Sequence, residues 1–151
     1  MEIIKRYRSF LIVVLIVITG IFFFFYQLYQ KDIKVLADFV VSYKKFDKAI
    51  TDFSVSLTDS SENKAEDAIR ELDTKSTFRI SSLIKNEKKV MVQVREISNL
   101  SKREFDSLKS YREAVQNKNA DLERFAKEYA DLTVKRRSAY FGLVVLGRTG
   151  E

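Results

Sequence analysis

Hydrophobic positions divide the chain into one solid apolar run and three interrupted, periodic stretches. From Phe10 to Tyr26 the sequence reads FLIVVLIVITGIFFFFY, without a charge, and it continues through Gln27 and Leu28 to Tyr29. About twenty residues at about 1.5 Å each cross a hydrocarbon core. The β-branched residues in the run do not oppose a helix, because in lipid a backbone must satisfy its own hydrogen bonds. Tyr26 and Tyr29 are expected at the far headgroup boundary, where an aromatic ring with a polar tip is well placed. The pattern predicts a basic N-terminal segment over residues 1–9 and a transmembrane anchor helix over residues 10–29. A cleaved signal peptide would have a shorter apolar core and small residues at its cut, whereas this run ends in Phe22-Phe23-Phe24-Phe25. A soluble core helix apolar on every face would need more covering protein than a chain this size supplies.

Beyond the run, Leu36, Phe39, Tyr43, Phe46, Ile50, Phe53 and Leu57 follow one another at alternating spacings of three and four, the pattern of a helical seam. Large aromatics at most of these positions suit the thick core of a bundle better than a two-stranded zipper. No breaker separates Tyr29 from Leu36, so the anchor helix is expected to run straight into this one. Asp59-Ser60-Ser61-Glu62-Asn63 interrupts the seam, and the Asp59 to Glu62 spacing predicts a turn and a new helix cap. A second long helix is then expected through Ile69, Leu72, Ile80, Leu83, Val90, Val94 and Ile97, weakest over residues 73–77. Ser101 and Glu104 have capping-box spacing, which predicts a turn or kink near residues 99–101. A third stretch carries Phe105, Leu108, Val115, Leu122, Phe125, Tyr129 and Leu132, weakest at Asn117-Lys118-Asn119.

The fold expected is therefore all-α: one transmembrane helix continuing into an antiparallel bundle or coiled coil over residues 30–134. It has three helices, or four if one stretch splits. With three, the last helix leaves the bilayer and carries Leu132 far from it. The tail, residues 135–151, places Lys135, Arg136 and Arg137 before an apolar run from Ala139 to Gly147 that is too short to cross a bilayer. Lys135, Arg136, Arg137, Tyr140 and Phe141 are expected to contact lipid or a partner, as a short helix or an added strand. The alternative is that the tail packs along its own bundle.

Composition narrows the chemistry. The 151 residues are 46% apolar and 32% charged, enough for one modest domain. Without cysteine or histidine the chain has no disulfide, no thiol nucleophile, and neither the usual general base nor the usual zinc ligands. The absence of proline and the presence of only four glycines favour long helices. Carboxylates are scattered among lysines and arginines on helix faces, and a small helical bundle offers little of the dry, concave surface that acid–base catalysis requires. No calcium-loop motif is present. The expectation is a protein that is not an enzyme and that holds no cofactor and no metal. The net charge of +6 comes from 27 basic residues interleaved with 21 acidic ones, which makes no phosphate track, so nucleic acid is not expected as a partner. The cluster Lys135 to Arg137, with Lys88-Lys89 as a weaker second, suits an anionic lipid surface or an acidic wall polymer.

Lys5, Arg6 and Arg8 precede the apolar run, whereas Lys31 and Lys34 follow it with Asp32 between them. Positive-inside reasoning puts the N-terminus in the cytoplasm and the bulk of the chain outside the inner or plasma membrane. The first functional expectation is a structural or accessory subunit that binds another membrane protein, or its own copy, through the seam from Leu36 to Leu57. An anchor followed by an antiparallel helical bundle also resembles the extracytoplasmic part of bacterial chemoreceptors and sensor kinases, which implies ligand sensing signalled through a partner. A third likeness is to phage inner-membrane spanins, which imply envelope disruption. Both resemblances are architectural and rest on no motif.

Overall fold

The structure, a computed structural model, describes the backbone of residues 2–84, 86–118 and 121–148 and the side chains between Ile12 and Leu146. Among the described residues there are four α-helices and no strands. They are α1 (Glu2–Ser56), α2 (Asp59–Ser76), α3 (Glu87–Asn117) and α4 (Leu122–Arg148).

The continuity expected between the apolar run and the first seam is realised: α1 is a single helix of 55 residues, about 80 Å long at the helical rise. It is long and apolar enough to cross a membrane, and none of its most apolar window is buried against the rest of the protein. The helix ends where Leu57 takes the left-handed conformation (φ 50°) and returns its amide to the Phe53 carbonyl at 2.8 Å. Thr58 then caps α2 from extended backbone. Its hydroxyl accepts from the Ser61 amide, while the Ser61 hydroxyl accepts from the Thr58 amide. The cap thus lies one residue before the Asp59 to Glu62 spacing expected from sequence. Asp59 and Glu62 are instead free to pair with Arg112 of α3.

Two boundaries differ from the sequence reading. First, α2 does not run on to Ile97 but stops at Ser76, so the weak polar stretch is an end and there are four helices. The Ser76 and Thr77 hydroxyls donate back to the carbonyls of Asp73 and Thr74, side-chain competition that makes such residues poor helix interiors. Second, there is no break near residues 99–101. The Ser101 hydroxyl donates to the Ile97 carbonyl at 2.8 Å within a continuous α3, and the Glu104 side chain is drawn into the core rather than back to a cap.

Side-chain pairs set the directions. Asp38 faces Lys75, Ser42 and Lys45 bind Glu71, and Ser56 meets Ser61, so α2 runs back along α1. The Asp73 carboxylate accepts from Ser98 at 3.1 Å and pairs with Lys102 at 2.7 Å, which ties α2 to α3. Thr133 reaches Glu104, and the Ser107 hydroxyl lies 3.5 Å from the Phe125 carbonyl, so α4 runs back along α3. With four helices in place of three, α4 heads toward the apolar run of α1, not away from it as the three-helix reading had Leu132 do. The core between the helices gathers Phe39, Tyr43, Phe46, Ile50 and Phe53 with Leu72, Val94, Ile97 and Leu108.

Candidate functional site

Of the tail expected at the surface, residues 135–148 are the last part of α4 and residues 149–151 lie outside the described residues. Its three basic residues from Lys135 to Arg137 have three different fates. Lys135 is exposed and pairs with Asp131 one turn before it, at 2.6 Å. Arg137 is exposed and lies 3.5 Å from Asp47. Arg136 is completely buried, which corrects its expected place on a lipid or partner surface.

Burying a guanidinium is costly unless its charge and its donors are met, and here two other helices supply the partners. From α3, Glu104, itself fully buried, accepts from Arg136 Nε through Oε2 and from Nη2 through Oε1 at 3.3 Å. From α1, Asp47 accepts from Nη2 at 2.7 Å and the Tyr43 hydroxyl accepts from Nη1 at 2.7 Å. The guanidinium carbon also lies 5.2 Å from the Tyr43 ring centre and 5.3 Å from that of Phe46, within cation–π range. The Thr133 hydroxyl donates to Glu104 Oε1 at 2.7 Å, and Tyr140 stacks on Tyr43 at 4.0 Å between ring centres, nearly parallel.

Burial alone would lower the Arg136 pKa, but its bond to Glu104, the Glu104 charge and the Asp47 contact outweigh that and hold it above its ordinary value. Tyr43 is pushed up to about 12, chiefly because burial disfavours phenolate, with the Arg136 cation pulling the other way. Arg136 and Glu104 are both fully screened from solvent, so neither can meet a substrate. The arrangement clamps α1, α3 and α4 at one level, and it is a positioning device. Among the described residues there is no group of three or more side chains able to hold a metal ion.

The seam residues lie inside this same core. Phe39, Tyr43, Phe46, Ile50 and Phe53 are buried by the chain's own helices, and Leu36 and Leu57 pack at the margins. Tyr140 lies half-buried against the core, while Phe141 points to solvent. Sequence reasoning missed the partnership of Arg136 with Glu104 and Asp47, although a signal was present. Ile97, Ser101, Glu104 and Leu108 keep seam spacing on α3, as do Tyr129, Leu132, Arg136 and Tyr140 on α4. A charge on each of two seams is the mark of a buried pair.

A second charged group sits at the opposite end of the helices from the apolar run. Arg112 binds both Glu62 and Asp59, and Lys109 lies 3.2 Å from Glu62. These four residues, paired with one another, line an open polar hollow, an arrangement suited to joining the start of α2 to α3.

Comparison with known proteins adds no relative: no family model, no curated protein and no solved structure matches the chain.

Proposed function

We propose that the protein is a single-pass, membrane-anchored helical bundle that acts by binding another protein of the same membrane, as a structural or accessory subunit. The observation that carries this reading is the unbroken path of α1 from a bare apolar stretch into a well-packed core. An apolar helix with no covering protein calls for lipid or a partner helix. A joint without a hinge holds the helical body at a set distance and rotation from the bilayer, which suits a scaffold. The side chains fit the same reading, since the strongest polar constellation is buried and consumed in holding helices together.

Residues 10–29 are the anchor in this proposal, with residues 1–9 cytoplasmic and the body outside the inner or plasma membrane. Folding brings further cations to the body's side of the anchor. They belong to a segment far longer than the roughly 60 residues to which the loop-charge rule applies, so the flanks of the anchor retain their weight. Because the seam is occupied internally, the partner is expected on α1's apolar stretch and on exposed faces of the body.

Protease treatment of spheroplasts, followed by gentle solubilisation and analysis of co-migrating proteins, tests both parts. Digestion of the body and retention of a stoichiometric companion are expected. Protection of the body would overturn the orientation, and a lone monomer in mild detergent would overturn the subunit reading.

A further inference from the structure

We propose that the end of the helical body nearest the apolar stretch of α1 is a docking surface for anionic phospholipid headgroups of the bilayer that α1 crosses. This inference rests on the anchor reading above. It starts from register. Arg136 holds Asp47 of α1 and Glu104 of α3 at one level, and both helices run in the same direction. Descending about sixteen residues from each, or about 24 Å, reaches Lys31 on α1 and Lys88 on α3. An independent contact agrees: Asp32, buried just past Tyr29, accepts from the Ser81 amide at 2.9 Å and from its hydroxyl. Ser81, between α2 and α3, is thereby held at the foot of the body, beside the end of the apolar stretch.

Folding collects charge of one sign at that foot. Lys31, Lys34, Arg79, Lys88 and Lys89 are all exposed there, although the sequence scatters them over nearly sixty positions. Of the acids on the same segments, Asp32 is consumed by Ser81 and Glu87 is partly covered. Apolar side chains accompany the cations. Val92 is 62% exposed and Val145 42%, and together with Leu146, Gly142, Lys88 and Lys89 they line a hollow of about 570 Å³ between the start of α3 and the end of α4. Cations beside exposed apolar side chains, near the level where a membrane-crossing helix ends, suit the interfacial zone of a bilayer. The surface would set the tilt of the body against the bilayer, because a lone transmembrane helix can tilt in lipid and carries a rigidly joined body with it.

The test uses the full chain in lipid nanodiscs of zwitterionic composition or with added phosphatidylglycerol, each containing brominated acyl chains that quench fluorescence at short range. Because the chain has no cysteine, Phe24→Cys and Val145→Cys each accept one fluorophore. The label at residue 24 reports insertion, and the label at residue 145 reports docking. Expected are quenching at 24 in both discs and quenching at 145 in the anionic discs. The docking equilibrium read from the latter should fall by at least roughly fivefold for each lysine reversed in Lys88→Glu/Lys89→Glu and be retained in Lys88→Arg/Lys89→Arg. Quenching at 24 with none at 145 would overturn the docking surface and leave the anchor standing. Equal quenching at 145 in both discs, unchanged by charge reversal, would overturn the lipid's anionic role and thus the proposal. A label at 145 shielded from water yet unquenched would mean that protein occupies the hollow, which also overturns it. No quenching at 24 would overturn the anchor itself.

Discussion

At the scale of the residue, the protein depends on a cation that sequence position suggests is a surface contact. Arg136 is stable inside because its donors are divided among Glu104, Asp47 and Tyr43, and removing one acid leaves charge that cannot reach water. Glu104→Leu is therefore expected to cost about 3 to 5 kcal/mol. Glu104→Leu combined with Arg136→Met should recover most of that loss, since replacing a buried pair by apolar side chains of similar size is often neutral or better. Denaturant unfolding of the detergent-solubilised protein, followed by helicity, compares the two. If the double variant were as weak as the single, the loss would not come from unpaired charge. Tyr43 adds a pH dependence. Its pKa lies near 10 when unfolded and is pushed up to about 12 by burial, so the contribution is whole below pH 10 and is lost as pH rises toward 12. The stability advantage of the native chain over Tyr43→Phe should accordingly shrink, by up to about 2 kcal/mol, between pH 9.5 and pH 11.5. A constant difference over that range would show that Tyr43 is not desolvated.

At the scale of the element, the apolar period was legible and the ends were not. The heptads of α1 run as read because aromatic side chains every three or four residues can be covered only on one helical stripe. Phe46→Asp with Phe53→Asp would place two unpaired charges in that stripe, where both rings are fully buried. Cooperative unfolding of the body with loss of helicity is expected, read by circular dichroism in detergent. Intact helicity and unchanged assembly would refute the seam's place in the core. The helix ends escaped because hydroxyl-rich stretches admit two outcomes. Ser101 back-bonds within α3, whereas Ser76 and Thr77 do so where α2 stops, and local sequence does not separate them.

At the scale of the whole molecule, the number of helices sets the direction of the last one. Stopping α2 at Ser76 turns three helices into four and brings the end of α4 back to the foot of the body. The foot is held by the bond between Asp32 and Ser81, and Asp32→Ala should remove about 1.5 to 3 kcal/mol of charged hydrogen bonding there. Hydrogen exchange should quicken at the amides of residues 77–84 while those of α3 near Glu104 stay protected. Uniform quickening across the body would mean that the tether serves global stability instead.

By itself, the sequence determined the helical class, the position of the apolar stretch, the continuity of α1 beyond it and the stripe that the core uses, because each follows from local periodicity and the absence of breakers. Only the tertiary structure decided that Arg136 faces inward, that α2 ends where it does, and that Lys88 and Lys89 lie level with Lys31. Those facts depend on contacts between residues far apart in the chain, where a charge is buried or exposed according to whether a partner happens to stand across from it.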